Sequence, residues 1–209
     1  KVIYPPITMP APNPENAQAL REEWSHNDGG PIIGYAGRFV QEKRPDLLIQ
    51  SLEIINKKYP NARIVFAGEY NIPYENTWEM YQHVVEKYQD QLIFLGLHKD
   101  MQFMADFFMA CDVLALTSDS ECFALVQVEA MLSGTPVVMT DTPGGRVPVM
   151  KTGMGALTPV GDYVKIGETI VRVLDNRADF VRSRAEIETV FSFEETVAQY
   201  EAVFEEFAK

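Results

Sequence analysis

Four charged side chains in this 209-residue chain are spaced so that they could do chemistry together. Glu121 and Glu129 have seven residues between them, while Arg38 and Lys43 follow directly on Gly37 with four between. Arginine offers a planar fork and lysine a point charge, so one loop carrying both suits the oxygens of a diphosphate. If a helix opens near Phe123, Glu129 lies about two turns in at ~1.5 Å rise per residue. Both carboxylates then look toward one crevice. The free N–H groups of Phe123, Ala124, Leu125 and Val126 would make an anion site beside them. Such a site suits a diphosphate flanked by hydroxyls. Spacing alone also fits a plainer assignment, with Glu121 capping the helix, Glu129 on a solvated face and two surface cations.

The elements that must position these groups can be read from the pattern. Val113-Leu114-Ala115-Leu116 is short, apolar and β-compatible, as a buried parallel strand requires. Ser118, Asp119 and Ser120 are N-cap candidates for a helix from about Phe123 to Leu132. Ser133-Gly134 stops that helix, and Pro136-Val137-Val138-Met139 resumes a strand. Gly144-Gly145 and the residues to Val149 read as a loop. Upstream, Pro31–Gly37, Ala62–Gly68 and Asp90–Gly96 are three further strands. The first runs through the Arg38–Lys43 loop into a helix starting at Arg44-Pro45, with Leu47, Leu48, Leu52, Ile55 and Tyr59 as its apolar stripe. Residues 74–88 and 101–110 are predicted helices. A short strand at 153–159, a helix from Gly161 to about Leu174 and two closing helices follow; Ser192 with Glu195 reads as the last one's capping box.

This alternation predicts an α/β fold: a doubly wound, parallel, Rossmann-like sheet of about six strands with helices on both faces. Ligands bind such sheets beyond the carboxyl ends of the strands, where all four charged candidates fall. The 46% hydrophobic content is globular, and a net charge of −12 argues against a nucleic-acid footprint while leaving room for one local basic pocket. The two cysteines, Cys111 and Cys122, make no disulfide framework, so a reducing cytoplasm is expected. No run approaches the ~20 apolar residues of a membrane span. The chain starts at Lys1, not methionine, and is expected to be an excised part of a longer protein. His98 could act as a general base, but a lone loop histidine is more often unremarkable.

The string around the two acids resembles the Glu-x7-Glu signature of retaining glycosyltransferases with the two-domain GT-B fold, in particular the large "group 1" family, glycosyltransferase family four. The matching residues are Ser118, Glu121 and Phe123, then Glu129-Ala130-Met131, Gly134, Pro136-Val137-Val138 and Gly144-Gly145. Ala124 stands where the family usually has glycine, and Pro148 where it often has an acid. The resemblance covers essentially the whole chain and implies the C-terminal, donor-binding half of a GT-B enzyme. Residues 1–30 would then be a linker and first helix, 31–190 the Rossmann-like nucleotide-sugar domain, and 191–209 a helix crossing back to an N-terminal acceptor domain that this chain lacks.

The implied donor is a UDP-, GDP- or ADP-linked sugar, with the acceptor unassigned and no metal or other cofactor required. The backbone at Gly37, Gly96 and Leu97 is implied to approach phosphate or base, and the N–H groups of Phe123, Ala124, Leu125 and Val126 to meet phosphate or sugar oxygens. Glu129 would hold the ribose hydroxyls, Arg38 and Lys43 the departing diphosphate, and Glu121 the hydroxyls of the donor sugar. The fragment by itself is expected to be inactive, and the full-length protein could sit at a membrane periphery. A non-catalytic nucleotide-sugar-binding module and a GT-B sugar-nucleotide epimerase are the alternatives.

Overall fold

Short runs of apolar and β-branched residues form the sheet in the computed structural model, which describes residues 2–207. The strands are β1 (Ile32–Ala36), β2 (Arg63–Ala67), β3 (Leu92–Gly96), β4 (Val113–Leu116), β5 (Val137–Thr140) and β6 (Gly155–Thr158). All neighbours pair in parallel, in the order β3-β2-β1-β4-β5-β6. The chain winds outward from β1 to one edge, then returns to β4 on the other side of β1. That reversal opens a crevice between the loops leaving β1 and β4, the place where doubly wound sheets take ligands.

The helices are α1 (Pro14–Ser25), α2 (Pro45–Gln50), α3 (Leu52–Ile55), α4 (Thr77–Lys87), α5 (Met101–Ala110), α6 (Leu125–Leu132), α7 (Arg146–Thr152), α8 (Tyr163–Asp175), α9 (Arg177–Phe180), α10 (Arg184–Val190) and α11 (Phe193–Phe207). Parallel strands covered on both faces alternate their side chains between two apolar layers. Ile32, Leu114, Leu116 and Met139 pack with Trp24, Phe107, Val128 and Met131 of α1, α5 and α6. Ile33, Tyr35, Val113 and Val138 pack with Leu48, Leu52, Val84 and Ile170 of α2, α3, α4 and α8.

Local signals explain most helix boundaries. Asn13 caps α1 through Glu15 N and Asn16 N with Pro14 at the first helical position, and Asp100 and Asp162 cap α5 and α8. Several expectations are corrected. The predicted 44–59 helix is two pieces, parted at Ser51, whose hydroxyl donates to Leu48 O at 2.6 Å. Residues 146–152 are helical, not loop; Pro148 falls in the first turn, where a missing N–H breaks no helical bond. Three helices follow α8 rather than two. The reciprocal capping box belongs to Ser183 and Glu186. Ser192 Oγ does accept Glu195 N at 3.1 Å, but its other carboxylate contact is with Glu194.

The N-terminal segment runs over the α6 side, with Ile7 and Met9 buried and the Arg184 guanidinium donating to Met9 O and Pro10 O. Along α11 only Thr196 is buried, and Phe204 and Phe207 stand exposed. Among the described residues no helix is long and apolar enough to cross a membrane.

Candidate functional site

The crevice at the reversal point holds a cavity of about 430 Å³, walled by Gly37 and Arg38 after β1, Gly68 and Glu69 after β2, Leu97 and His98 after β3, and Val126 and Glu129 of α6. Its β1 side is held by backbone. Gly37 N donates to Ala67 O at 2.9 Å and Phe39 N to Glu69 O at 2.8 Å. A Cβ on Gly68 would fall 2.1 Å from Gly37 O, so only glycine lets these two loops lie against each other. The buried Tyr35 hydroxyl donates to Arg38 O at 2.9 Å; burial pushes that phenol well above its ordinary range. Arg38 is thus pinned by its backbone, while its side chain is exposed and has no protein partner among the described residues.

Five residues on, a 3-10 turn from Gln41 to Lys43 is strapped to the β4 loop. Thr117 Oγ1 donates to Arg44 O at 2.7 Å and contacts Lys43 O at 3.0 Å, and Asp119 N donates to Glu42 O. Arg44, at φ 49°, pairs with the buried Asp46. The strap carries Lys43 across 78 positions of sequence to Glu121: Nζ to Oε1 is 2.5 Å, and Ser118 Oγ donates to the same oxygen at 3.0 Å. Glu121 therefore rests on a cation and a hydroxyl rather than capping the helix.

The helix itself opens at Leu125, two residues later than the sequence suggests. Its N-cap, Ala124, has φ 57° and ψ 77° and offers no side-chain cap. None of the N–H groups of Phe123, Ala124, Leu125 and Val126 has an acceptor among the described residues; the first engaged donor is Gln127 N, on Ala124 O. The turn thus presents four free donors at the positive end of an eight-residue helix. The Ala124 dihedrals account for the glycine usual at this position, since an L-residue pays for left-handed backbone. One turn further, Glu129 is half-buried at the cavity wall, with no hydrogen bond or ion pair to its carboxylate among the described residues; burial raises its pKa. A desolvated acceptor pair without donors is built to receive them, and vicinal hydroxyls supply two.

Gly37, Arg38, Leu97, Val126 and Glu129 thus share the cavity, and Lys43 with Glu121 form a neighbouring pair. Gly96 lies behind the wall: its carbonyl accepts Gly68 N at 2.8 Å, and its φ of 78° turns the chain so that Leu97, 55% exposed, lines the cavity. The Phe123 ring points away, packing on Tyr4 and Phe191 at centroid distances of 5.6 and 5.7 Å. Leu125 is exposed. Sequence reading missed Glu69, Met101 and Met104 as lining residues; the two methionines, three apart on a predicted helix, were the readable signal. His98 also lines the cavity, stacked on Phe103 at 4.0 Å.

Comparison with known proteins gives the family. The family model described as "Glycosyl transferases group 1" matches residues 16–188. The chain belongs to that family. D-inositol 3-phosphate glycosyltransferase of Mycolicibacterium smegmatis is 29% identical over 199 residues, covering 94% of this chain and 45% of the relative. The GDP-mannose-dependent monoacylated alpha-(1-6)-phosphatidylinositol monomannoside mannosyltransferase of Corynebacterium glutamicum is 26% identical over 192 residues, covering 87% and 49%. The chain therefore spans about half the length of these curated relatives. Among solved structures, Anabaena Alr3699/HepE in complex with UDP superposes with a TM-score of 0.86 at 22% identity, over 99% of this chain and 57% of that one. The fold of that structure is thus shared over 99% of this chain.

Proposed function

We propose that this chain is the donor-binding half of a retaining, metal-independent glycosyltransferase that takes a nucleoside-diphosphate sugar. One observation carries the reading. Arg38 and the half-buried Glu129, neither with a side-chain partner among the described residues, line one cavity at the sheet's reversal point with Val126, where the run of free N–H groups from Phe123 ends. Positive groups in that number match a diphosphate, and the lone carboxylate matches ribose hydroxyls. Arg38, Lys43 and the α6 N-terminus would take up the charge that develops on the leaving diphosphate, where fixed donors lower a barrier most. Glu121 would turn its second oxygen to the sugar hydroxyls.

In this scheme the bond from the anomeric carbon to the diphosphate breaks. The acceptor oxygen then bonds on the same face, and its proton passes to the departing phosphate oxygen. No protein nucleophile is needed. The relatives support the donor class: Alr3699/HepE has been solved with UDP and with UDP-glucose, and the Corynebacterium relative is named GDP-mannose-dependent. The acceptor side would come from the remainder of the full-length protein, so this chain alone is expected to be inactive. The unpaired Cys111 and Cys122 fit a reducing cytoplasm.

The test is a transfer assay with the full-length protein, nucleotide sugars and a panel of acceptors, followed by proton NMR of the anomeric centre. A glycoside with the donor's anomeric configuration is expected. Nucleotide-sugar binding without any product would make the protein a binding module, and an epimerised donor formed without acceptor would make it an epimerase.

A further inference from the structure

We propose that Gln127 is a positioning residue for Glu121, tying together the two loops that set where the acid stands. Gln127 is completely buried in α6 and touches neither the cavity nor the ion pair. Its amide Nε2 donates to Phe123 O at 3.1 Å and to Gly145 O at 2.8 Å. Among the described residues no other side chain donates to either carbonyl. Phe123 closes the loop that carries Glu121. Gly145 belongs to the loop after β5, and that loop lies directly behind the acid.

The fit there leaves no slack. A Cβ on Gly144 would fall 2.1 Å from Cys122 O and 2.4 Å from Glu121 O; one on Gly145 would fall 2.3 Å from Met139 Cε, 2.5 Å from Thr142 Oγ1 and 3.3 Å from Glu121 Cβ. The β5 loop is thus a wedge under the Glu121 backbone, and Gln127 is the tie that keeps wedge and acid loop at one separation. The other half of the amide supports this assignment. Oε1 is buried and has no partner among the described residues, which weakens the residue's net contribution to folding. Turning the amide over would set that oxygen against two carbonyls, so the two N–H bonds define its orientation.

This inference rests on the donor-site reading, and two variants probe the same contact from opposite sides. Gln127→Met keeps the volume and removes both donors; Gly144→Ala pushes the wedge against the Glu121 backbone. The first readout needs no ligand: hydrogen exchange of the bonded amides that flank the two loops, Asp119 N, Gln127 N and Val147 N, is expected to quicken about tenfold in both variants, with those of β1 unchanged. The second is calorimetry of UDP, GDP and ADP and their hexose conjugates. Affinity for the bare nucleotide should fall by less than the extra affinity contributed by the hexose, which should drop about tenfold. Exchange and hexose increment both unchanged in a folded variant would overturn the proposal. A uniform loss of nucleotide and conjugate binding would also overturn it, because that marks general damage. A wild-type chain that binds no nucleotide would overturn the donor-site reading instead, with the exchange rates still reporting on the tie.

Discussion

Replacing Gly144 with alanine should move the acid loop and cost activity out of proportion to stability. The added Cβ would sit 2.1 Å from Cys122 O and 2.4 Å from Glu121 O, both backbone atoms that cannot rotate away. A carbon–oxygen contact needs about 3.3 Å, so one loop must retreat by about 1 Å. Overpacking of this kind typically costs ~1–3 kcal/mol. For a chain of this size each kcal/mol lowers Tm by roughly 2–4 °C, giving an expected fall between a few and about ten degrees. The functional effect should be larger. Displacing Glu121 by that distance takes it off both Lys43 Nζ and Ser118 Oγ, which now stand 2.5 and 3.0 Å away. A ~1 Å error at a reacting centre can cost ~100-fold in rate. The assay is sugar transfer by the full-length protein at a temperature where the variant is folded by circular dichroism, alongside calorimetric melting. Full activity with an unchanged Tm would refute the idea that Gly144 holds the acid by direct packing.

Lys43→Met should destabilise the chain by about 1–2 kcal/mol, because it strands a largely buried carboxylate; adding Glu121→Gln should return part of that loss in a double-mutant cycle followed by urea unfolding. Glu129 titrates above the usual glutamate range in the folded chain, so its burial disfavours folding increasingly as pH rises from the unfolded pKa through the folded one. Glu129→Gln should therefore raise Tm at pH 7 and leave it nearly unchanged at pH 4, and melts at both values check the sign. Ala124→Gly should raise Tm by up to about 6 °C. Relief of left-handed strain is worth ~1–2 kcal/mol, and the looser unfolded chain takes back ~0.4–1; a lowered Tm would mean that the alanine methyl packs too well to lose.

What the sequence made legible follows from the range of the interactions involved. About six strands and their parallel pairing could be read because each βα unit carries its own apolar run and stop signal, and the Arg38 and Glu129 positions followed from where strands end. Local backbone events were harder. The break at Ser51 depends on one hydroxyl choosing the Leu48 carbonyl, and the Ala124 conformation runs against its residue type. Contacts made only through space were invisible. Lys43 meets Glu121 because Thr117 and Asp119 strap their loops together, and Gly144-Gly145, read as a plain loop, acts by standing behind the acid. Gln127 looked like one more polar residue on a helix, and only its complete burial sets it apart.

The central claim is that the reversal-point cavity binds the nucleoside diphosphate of a sugar donor. Its most direct test is calorimetric titration of this chain, and of the full-length protein, with UDP, GDP, ADP and their hexose conjugates, repeated for Arg38→Ala. Arg38 is exposed and unpaired, so the variant should melt within about 0.5 kcal/mol of the parent. Losing its charge-assisted contacts, worth ~1.5–3 kcal/mol, should weaken nucleotide binding at least tenfold. Saturable binding of one base, weakened in that variant while its Tm holds, is the predicted result. No binding by either folded protein, or binding that Arg38→Ala leaves untouched, would contradict the account.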